Sequence, residues 1–236
     1  VTPSEWLAAE VKKSFFNKYP CVVINNGIDT EMTFYPADKK VLRSKYGFLS
    51  EEKLILGVAA GYRDKRKGVE YIISLAKDLE AEAKVILIGW DERYNHWLKG
   101  STNIVTMKNI CDKSVLAEYY SMADVFVIPS VAENYPTTSL EAMACGTPVV
   151  GFAVGGITEQ LADGKGLIVE AGNQKAFTEA VRKVLTEPDC VLKGQDLVNV
   201  IQKENSACKM AEAYLELYER IMSGQTDIDN GNRRND

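Results

Sequence analysis

Histidine is almost missing from this 236-residue chain, His96 being the single example. Ser-His-Asp and Cys-His nucleophile systems need an imidazole beside the nucleophile, and a zinc site needs clustered Cys or His. His96 lies instead in a polar Tyr94-Asn95-His96-Trp97 stretch, which argues against both. The five cysteines, Cys21, Cys111, Cys145, Cys190 and Cys208, are odd in number and form no close pair, so they read as reduced packing residues of a cytoplasmic protein. No apolar run approaches the roughly 18 residues that span a bilayer, and the N-terminus lacks the basic-then-apolar pattern of a signal peptide. A soluble protein without a transmembrane segment is expected. Positive charge is not in excess either: 28 Lys and Arg against 33 Asp and Glu leave a net charge of −5, which argues against nucleic acid as a partner. The dinucleotide fingerprint G-x-G-x-x-G is absent after the first long strand-like run, so NAD binding loses its main support. The chain opens on Val1, not Met, and is expected to be a piece of something longer.

What is present is alternation. Apolar, β-branched runs at 54–60, 84–89, 103–107, 124–129, 147–152 and 166–169 read as strands, and several are apolar on both faces. Between them lie helical patterns at 69–79, near Asp91, at 113–122 and at 137–145, and a helix carrying the stripe Ala176, Phe177, Ala180, Val181, Val184 and Leu185 follows the last strand. This order predicts an α/β fold, a Rossmann-like parallel sheet flanked by helices. Upstream, Ser4 can cap a helix in SEWLAAEVKKSFF with Trp6, Val11 and Phe15 among its apolar positions. Residues 21–24 read as a further strand, Asn25-Asn26-Gly27 as a turn, and Lys39 to Tyr46 as an amphipathic piece within a connector. At the other end, Lys209 to Met222 reads as an amphipathic helix. The Asp227-Ile-Asp229 pair could in principle hold a metal, but it lies in the polar stretch 225–236, which is expected to be a disordered tail.

The stretch Pro129 to Gly151, PSVAENYPTTSLEAMACGTPVVG, concentrates the candidate chemistry. A strand feeds a polar loop, Glu133, Asn134, Tyr135 and Pro136, and then a helix opening at Thr137 and Thr138. In parallel sheets ligands bind beyond the carboxyl ends of strands, where this loop lies. The first turn of a helix has N–H groups without intrahelical partners and a partial positive charge, so it can hold phosphate. Glu133 and Glu141 would put a carboxylate on either side of it. Carboxylates accept hydroxyl hydrogen bonds and repel phosphate, so the pair suits a ligand with hydroxyls at both ends and a charged middle, such as a nucleoside diphosphate sugar. A plainer alternative stands beside this: Thr138-Ser-Leu-Glu141 is also a capping box, and Glu133 a solvated loop acid. The loop at 61–68, GYRDKRKG, lies after the first long strand and carries Arg63, Lys65, Arg66 and Lys67, either to meet a diphosphate or as an ordinary solvated basic loop.

Glu133 and Glu141 within E-NYPTTS-L-E-AMACGTPVV, followed by Gly155-Gly156-Ile-Thr-Glu159, resemble the donor-site signature of retaining glycosyltransferases of family 4, which have the GT-B fold. The resemblance is long. Val23-Ile-Asn-Asn-Gly-Ile-Asp29 resembles the family's inter-domain Asn-Gly-x-Asp segment, Arg66-Lys67-Gly68 its basic Lys-Gly, 124–130 the strand before the signature, and Gly164-Lys-Gly166 its later glycine turn. Two departures are visible: Tyr62 stands where the family commonly has Arg, leaving Arg63 one position out, and Lys108 replaces a frequent glycine.

The resemblance implies the C-terminal donor-binding domain of such an enzyme, transferring sugar from a nucleotide to a hydroxyl acceptor with retention, in polysaccharide or glycoconjugate biosynthesis. Glu133 would hold the donor sugar and Glu141 the ribose. Lys67, assisted by Arg63 or Arg66, and the amides of Thr137 and Thr138 would stabilise the leaving diphosphate, and Ile110 would contact the base. Neither metal nor cofactor is implied. Residues 1–50 would be the last part of an acceptor domain and the linker, 51–205 the donor domain and 206–224 a C-terminal helix, which could pack on the first domain or cover its own sheet. Acceptor sugar or lipid-linked glycan would bind through the missing domain, the whole protein staying cytoplasmic or peripheral at the inner membrane face, and this chain alone transferring weakly or not at all. Two other classes remain open, a nucleotide-sugar 2-epimerase of GT-B shape and a non-catalytic nucleotide-binding module.

Overall fold

The structure, a computed structural model, describes residues 1–58, 64–187 and 189–224. Its elements in chain order are α1 (Glu5–Lys13), α2 (Lys39–Lys45), β1 (Leu54–Val58), α3 (Val69–Asp78), β2 (Lys84–Ile88), β3 (Ile104–Met107), α4 (Lys113–Met122), β4 (Val125–Ile128), α5 (Thr137–Ala144), β5 (Val149–Phe152), α6 (Ile157–Gln160), β6 (Gly166–Val169), α7 (Gln174–Thr186), α8 (Gly194–Asn205) and α9 (Ala207–Met222). Short 3-10 turns add residues 65–67 and 92–98. The strands form one parallel sheet in the order β3-β2-β1-β4-β5-β6. That is the doubly wound order of a Rossmann fold, with its reversal of direction between β1 and β4.

Strand side chains alternate, and here both faces are covered. Leu54, Leu56, Ile86, Ile88, Phe126 and Ile128 face one core with α4, α5 and α8. Ile55, Val85, Leu87, Val125, Val127 and Phe152 face the other with α3 and α7. Hence the central strands are apolar on both faces. The segment before β1 is not separate from this packing: Ile28, Phe34 and Leu42 enter the first core. Gly146, at φ +81, ends α5 as predicted, since only glycine takes that left-handed position without strain.

Three expectations need correction. The helix capped by Ser4 is shorter than the stretch SEWLAAEVKKSFF: it stops at Lys13, Ala8 is its buried residue, and Trp6 and Phe15, two of its apolar positions, are exposed at 42% and 78%. Residues 21–24 form no strand, because they find only a single bridge, Val23 to Thr2. Asn25 to Gly27 is not a turn but an extended crossing beside Ser206. The chain also holds α8, which the sequence pattern did not suggest, in addition to the short α6. The expected tail at 225–236 and its Asp227-x-Asp229 lie outside the described residues.

Candidate functional site

The carboxyl ends of β1 and β4 flank the point where the strand order reverses, and the chain segments that follow them meet there. After β1 comes the 65–67 turn, opened by Asp64 and closed by Gly68 at φ +63. After β4 comes the loop 129–136. The two are hooked together by the backbone, Val131 N donating to the Arg66 carbonyl at 2.8 Å. Gly68 is pressed on Pro129: a Cβ there would lie 2.0 Å from the Pro129 carbonyl oxygen. The result brings Lys67 onto Glu133, whose carboxylate accepts a hydrogen bond from the Lys67 ammonium. The loop's other side is backed just as closely. A Cβ on Gly155 would lie 1.8 Å from the Glu133 carbonyl oxygen, and one on Gly156 would lie 2.1 Å from that of Asn134.

Each remaining loop residue is held by an element distant in sequence. Asn134 Oδ1 accepts from Ser4 Oγ at 2.5 Å, and Ser4 in turn caps α1. The Tyr135 carbonyl accepts from Asn26 Nδ2 at 2.8 Å, and its hydroxyl accepts from Asn205 Nδ2 at 3.1 Å. Pro136, the residue before α5, has its carbonyl held by Gln160 Nε2 at 3.0 Å. Glu159 turns the other way, accepting from Glu5 N at 3.0 Å at the start of α1.

No side chain caps the N-terminus of α5, and its first turn carries no acid. Thr138 is inside the helix, so the capping box does not form. Glu141 instead accepts from the Tyr120 hydroxyl at 3.0 Å. Burial pushes the Glu141 carboxyl above its ordinary range, opposed by hydrogen bonds from Tyr120 and Thr137. The open α5 amides, with Thr137 exposed, are therefore free to receive an anion.

Of the other predicted residues, Arg66 is committed locally. Its guanidinium takes both Asp64 oxygens, at 2.9 and 2.7 Å, and these bonds hold the Asp64 carboxyl down to about 2. Ile110 is partly buried against the core beneath the sheet's β3 side. Arg63 lies outside the described residues. Among those residues, no group of three His, Cys, Asp or Glu is placed to hold a metal. No helix described is long and apolar enough to cross a membrane. A cavity of about 600 Å³ exists at the opposite edge, by Lys53, Asp124, Thr147 and Gly194. It lies at the amino ends of the strands, the end where such sheets do not place their ligand.

Tyr120, Asn26, Asn205, Gln160 and Ser4 complete the site and were not foreseen as parts of it. Their partners lie 21 to 130 positions away in the chain, and no local pattern signals such contacts.

Residues 38–203 match the family of glycosyl transferases group 1, and the chain belongs to that family. It is 31% identical to the D-inositol 3-phosphate glycosyltransferase of Stackebrandtia nassauensis, over 68% of this chain and 40% of that one. It is 30% identical to the alpha-maltose-1-phosphate synthase of Mycolicibacterium smegmatis, over 84% of this chain and 56% of that one. The chain thus spans about half the length of these relatives. Its fold is shared with the sucrose-phosphate synthase of Thermosynechococcus elongatus, at a TM-score of 0.82 and 24% identity over 94% of this chain and 58% of the other. Anabaena HepE in complex with UDP-glucose superposes with a TM-score of 0.76 at 16% identity, over 92% and 62% of the two chains.

Proposed function

We propose that this chain is the nucleotide-sugar-binding portion of a retaining glycosyltransferase of family 4, transferring a sugar to a hydroxyl acceptor in polysaccharide or glycoconjugate assembly. The observation that carries this reading is the pairing of Lys67 with Glu133 over the reversal point of the sheet, beside an uncapped helix N-terminus. Without ligand the two charges neutralise one another. A nucleoside diphosphate sugar would separate them, drawing Lys67 to the diphosphate and leaving Glu133 to accept from sugar hydroxyls. Glu141 would accept from the ribose, and the Thr137 and Thr138 amides would meet the phosphates. As the glycosidic bond breaks, negative charge grows on the leaving diphosphate, and preorganised positive groups there stabilise the transition state. Lys67 and the α5 amides supply that charge, so transfer should persist in excess chelator.

HepE's complex with UDP-glucose makes uracil the first base to try. The acceptor, a sugar or lipid-linked glycan, would meet the site from a part of the protein beyond this chain, in the cytoplasm or at the inner membrane face. This chain alone should bind nucleotide and transfer weakly.

Calorimetric titration with UDP, GDP, ADP and their common sugars, with chelator present, tests the reading. Saturable binding of one nucleotide, with its sugar conjugate weakened on the order of tenfold or more by Glu133→Gln, is expected. Absence of binding to all of them at millimolar concentration would sink it. In the full-length protein the same substitution should lower transfer on the order of a hundredfold, and the product's anomeric configuration, read by NMR, checks retention.

A further inference from the structure

Tyr120 is fully buried in α4, with its ring edge-on to Phe34 and Phe126. Aromatic packing accounts for the ring but not for the hydroxyl, which reaches out of the core to Glu141 Oε2 at 3.0 Å. A buried phenol must find a partner, and a carboxylate left without donors in the same place would be costly. Glu141 in turn sits one turn into α5, with a side chain that has several rotamers to choose from. We propose that Tyr120 is a positioning residue for nucleotide recognition: its hydroxyl donates to one Glu141 oxygen and so fixes the carboxylate to accept from the ribose hydroxyls. This rests on the donor-site reading of Glu141 and deepens it. Tyr120 touches no ligand in this account and acts only through Glu141.

Other groups around Glu141 define what pH does. The Thr137 hydroxyl and the Lys113 charge favour its ionised form, as Tyr120 does, while burial opposes it most strongly. Cys145 caps the carboxyl end of the same helix, its thiol pushed by burial up to about 12, and Tyr120 is itself raised well above its ordinary value by burial, so both stay neutral across the acid range. Protonation of Glu141 turns one of its oxygens into a donor and removes the negative charge, so it accepts more weakly from the ribose hydroxyls. Binding therefore weakens as pH falls through the raised Glu141 value, and removing the Tyr120 hydroxyl moves that weakening to higher pH.

The test is a comparison of the ribonucleoside diphosphate that binds best with its 2′,3′-dideoxy counterpart, on the wild-type chain and on Tyr120→Phe. The wild type should prefer the ribonucleotide. Tyr120→Phe should weaken the ribonucleotide about tenfold, leave the dideoxy ligand unchanged, and shift the acid limb of ribonucleotide binding upward. Equal weakening of both ligands would make Tyr120 a packing residue only and overturn the proposal. A wild type that binds both ligands equally would overturn the ribose role of Glu141, and the proposal with it. If Tyr120→Phe does not fold, 3-fluorotyrosine at position 120 keeps the ring and strengthens the donor. The ribonucleotide alone should then tighten, and an unchanged affinity overturns the proposal.

Discussion

Asp124, just before β4, carries the most consequential charge away from the site. Its carboxylate takes Lys39 at 2.7 Å, Arg43 at 2.8 Å and the Leu54 amide at 2.7 Å. Burial alone would raise its pKa, but Lys39, the Leu54 amide and Arg43 together bring it below the ordinary carboxylate value. Lys39 is itself held low, burial outweighing its attraction to Asp124, with Arg43 and Lys53 adding repulsion. Arg43 is the more deeply buried of the two cationic partners, its side chain being 5% exposed against 39% for Lys39. A carboxyl whose folded value is depressed lends stability above its unfolded pKa of about 3.9 and loses it as pH falls through the folded value. Asp124→Asn removes the carboxylate that is hydrogen-bonded to buried Arg43 and should cost about 3 kcal/mol at pH 7 in urea unfolding. At a pH below the ordinary carboxylate range the cost should shrink, because the wild-type carboxyl then becomes protonated in part as well. An equal cost at both pH values would refute this account. The Lys67 and Glu133 pair differs, being partly open to water at 35% and 15%. Such pairs contribute little to stability, so substitutions there report on function.

At the scale of elements, the two glycines before α6 set the height of the loop 129–136. Gly155 has φ +52, so a side chain there would add left-handed strain to its clash with the Glu133 carbonyl. Gly156 has φ −77, ordinary for any residue, so Gly156→Ala isolates the clash at Asn134. That substitution should displace the loop and weaken nucleotide binding on the order of tenfold, with the six-stranded sheet intact by circular dichroism. Unchanged affinity would mean that the loop height is irrelevant to the ligand. The glycine pair was visible in the sequence through its resemblance, but its purpose was not, because what it accommodates is a carbonyl more than 20 positions away. The same divide runs through the elements. Buried parallel strands are apolar on both faces, so five-residue runs such as 54–58 and 84–88 announced themselves. The start of α8 is Gly194, its mean character is polar, and only Leu197, Val198 and Ile201 carry its core face, so it offered little to read. Residues 21–24 have strand composition without a neighbour to pair with, and composition cannot supply one. Gly27 seemed a turn residue, yet its lack of a Cβ is needed because one would lie 2.5 Å from the Ser206 carbonyl oxygen.

Across the whole molecule, that close approach joins two segments far apart in the chain. Ile28 N donates to the Asn205 carbonyl at 2.9 Å, and Ala207 N to the Ile28 carbonyl at 2.8 Å, so the extended segment after α1 runs beside the junction of α8 and α9. Asn205 sits at the centre, 4% exposed, its amide shared between the Asn26 carbonyl at 3.2 Å and the Tyr135 hydroxyl at 3.1 Å. One side chain thus ties both segments to the loop that carries Glu133. Beyond this junction α9 buries only Leu217 and leaves Leu215, Tyr218, Ile221 and Met222 exposed, so it does not cover its own sheet in the way one expectation allowed. Motion of α9 or of the segment after α1 would therefore be felt at the loop 129–136 through Asn205. Asn205→Leu keeps the approximate volume but leaves the Tyr135 hydroxyl and the Asn26 carbonyl without that donor, which should cost about 1–3 kcal/mol in thermal unfolding. If the tie also sets the loop, nucleotide affinity should fall by a similar free energy, and saturating nucleotide should raise the variant's melting temperature by less than the wild type's at equal concentration. A variant that melts early yet keeps wild-type affinity would show that Asn205 stabilises the junction without steering the loop that carries Glu133.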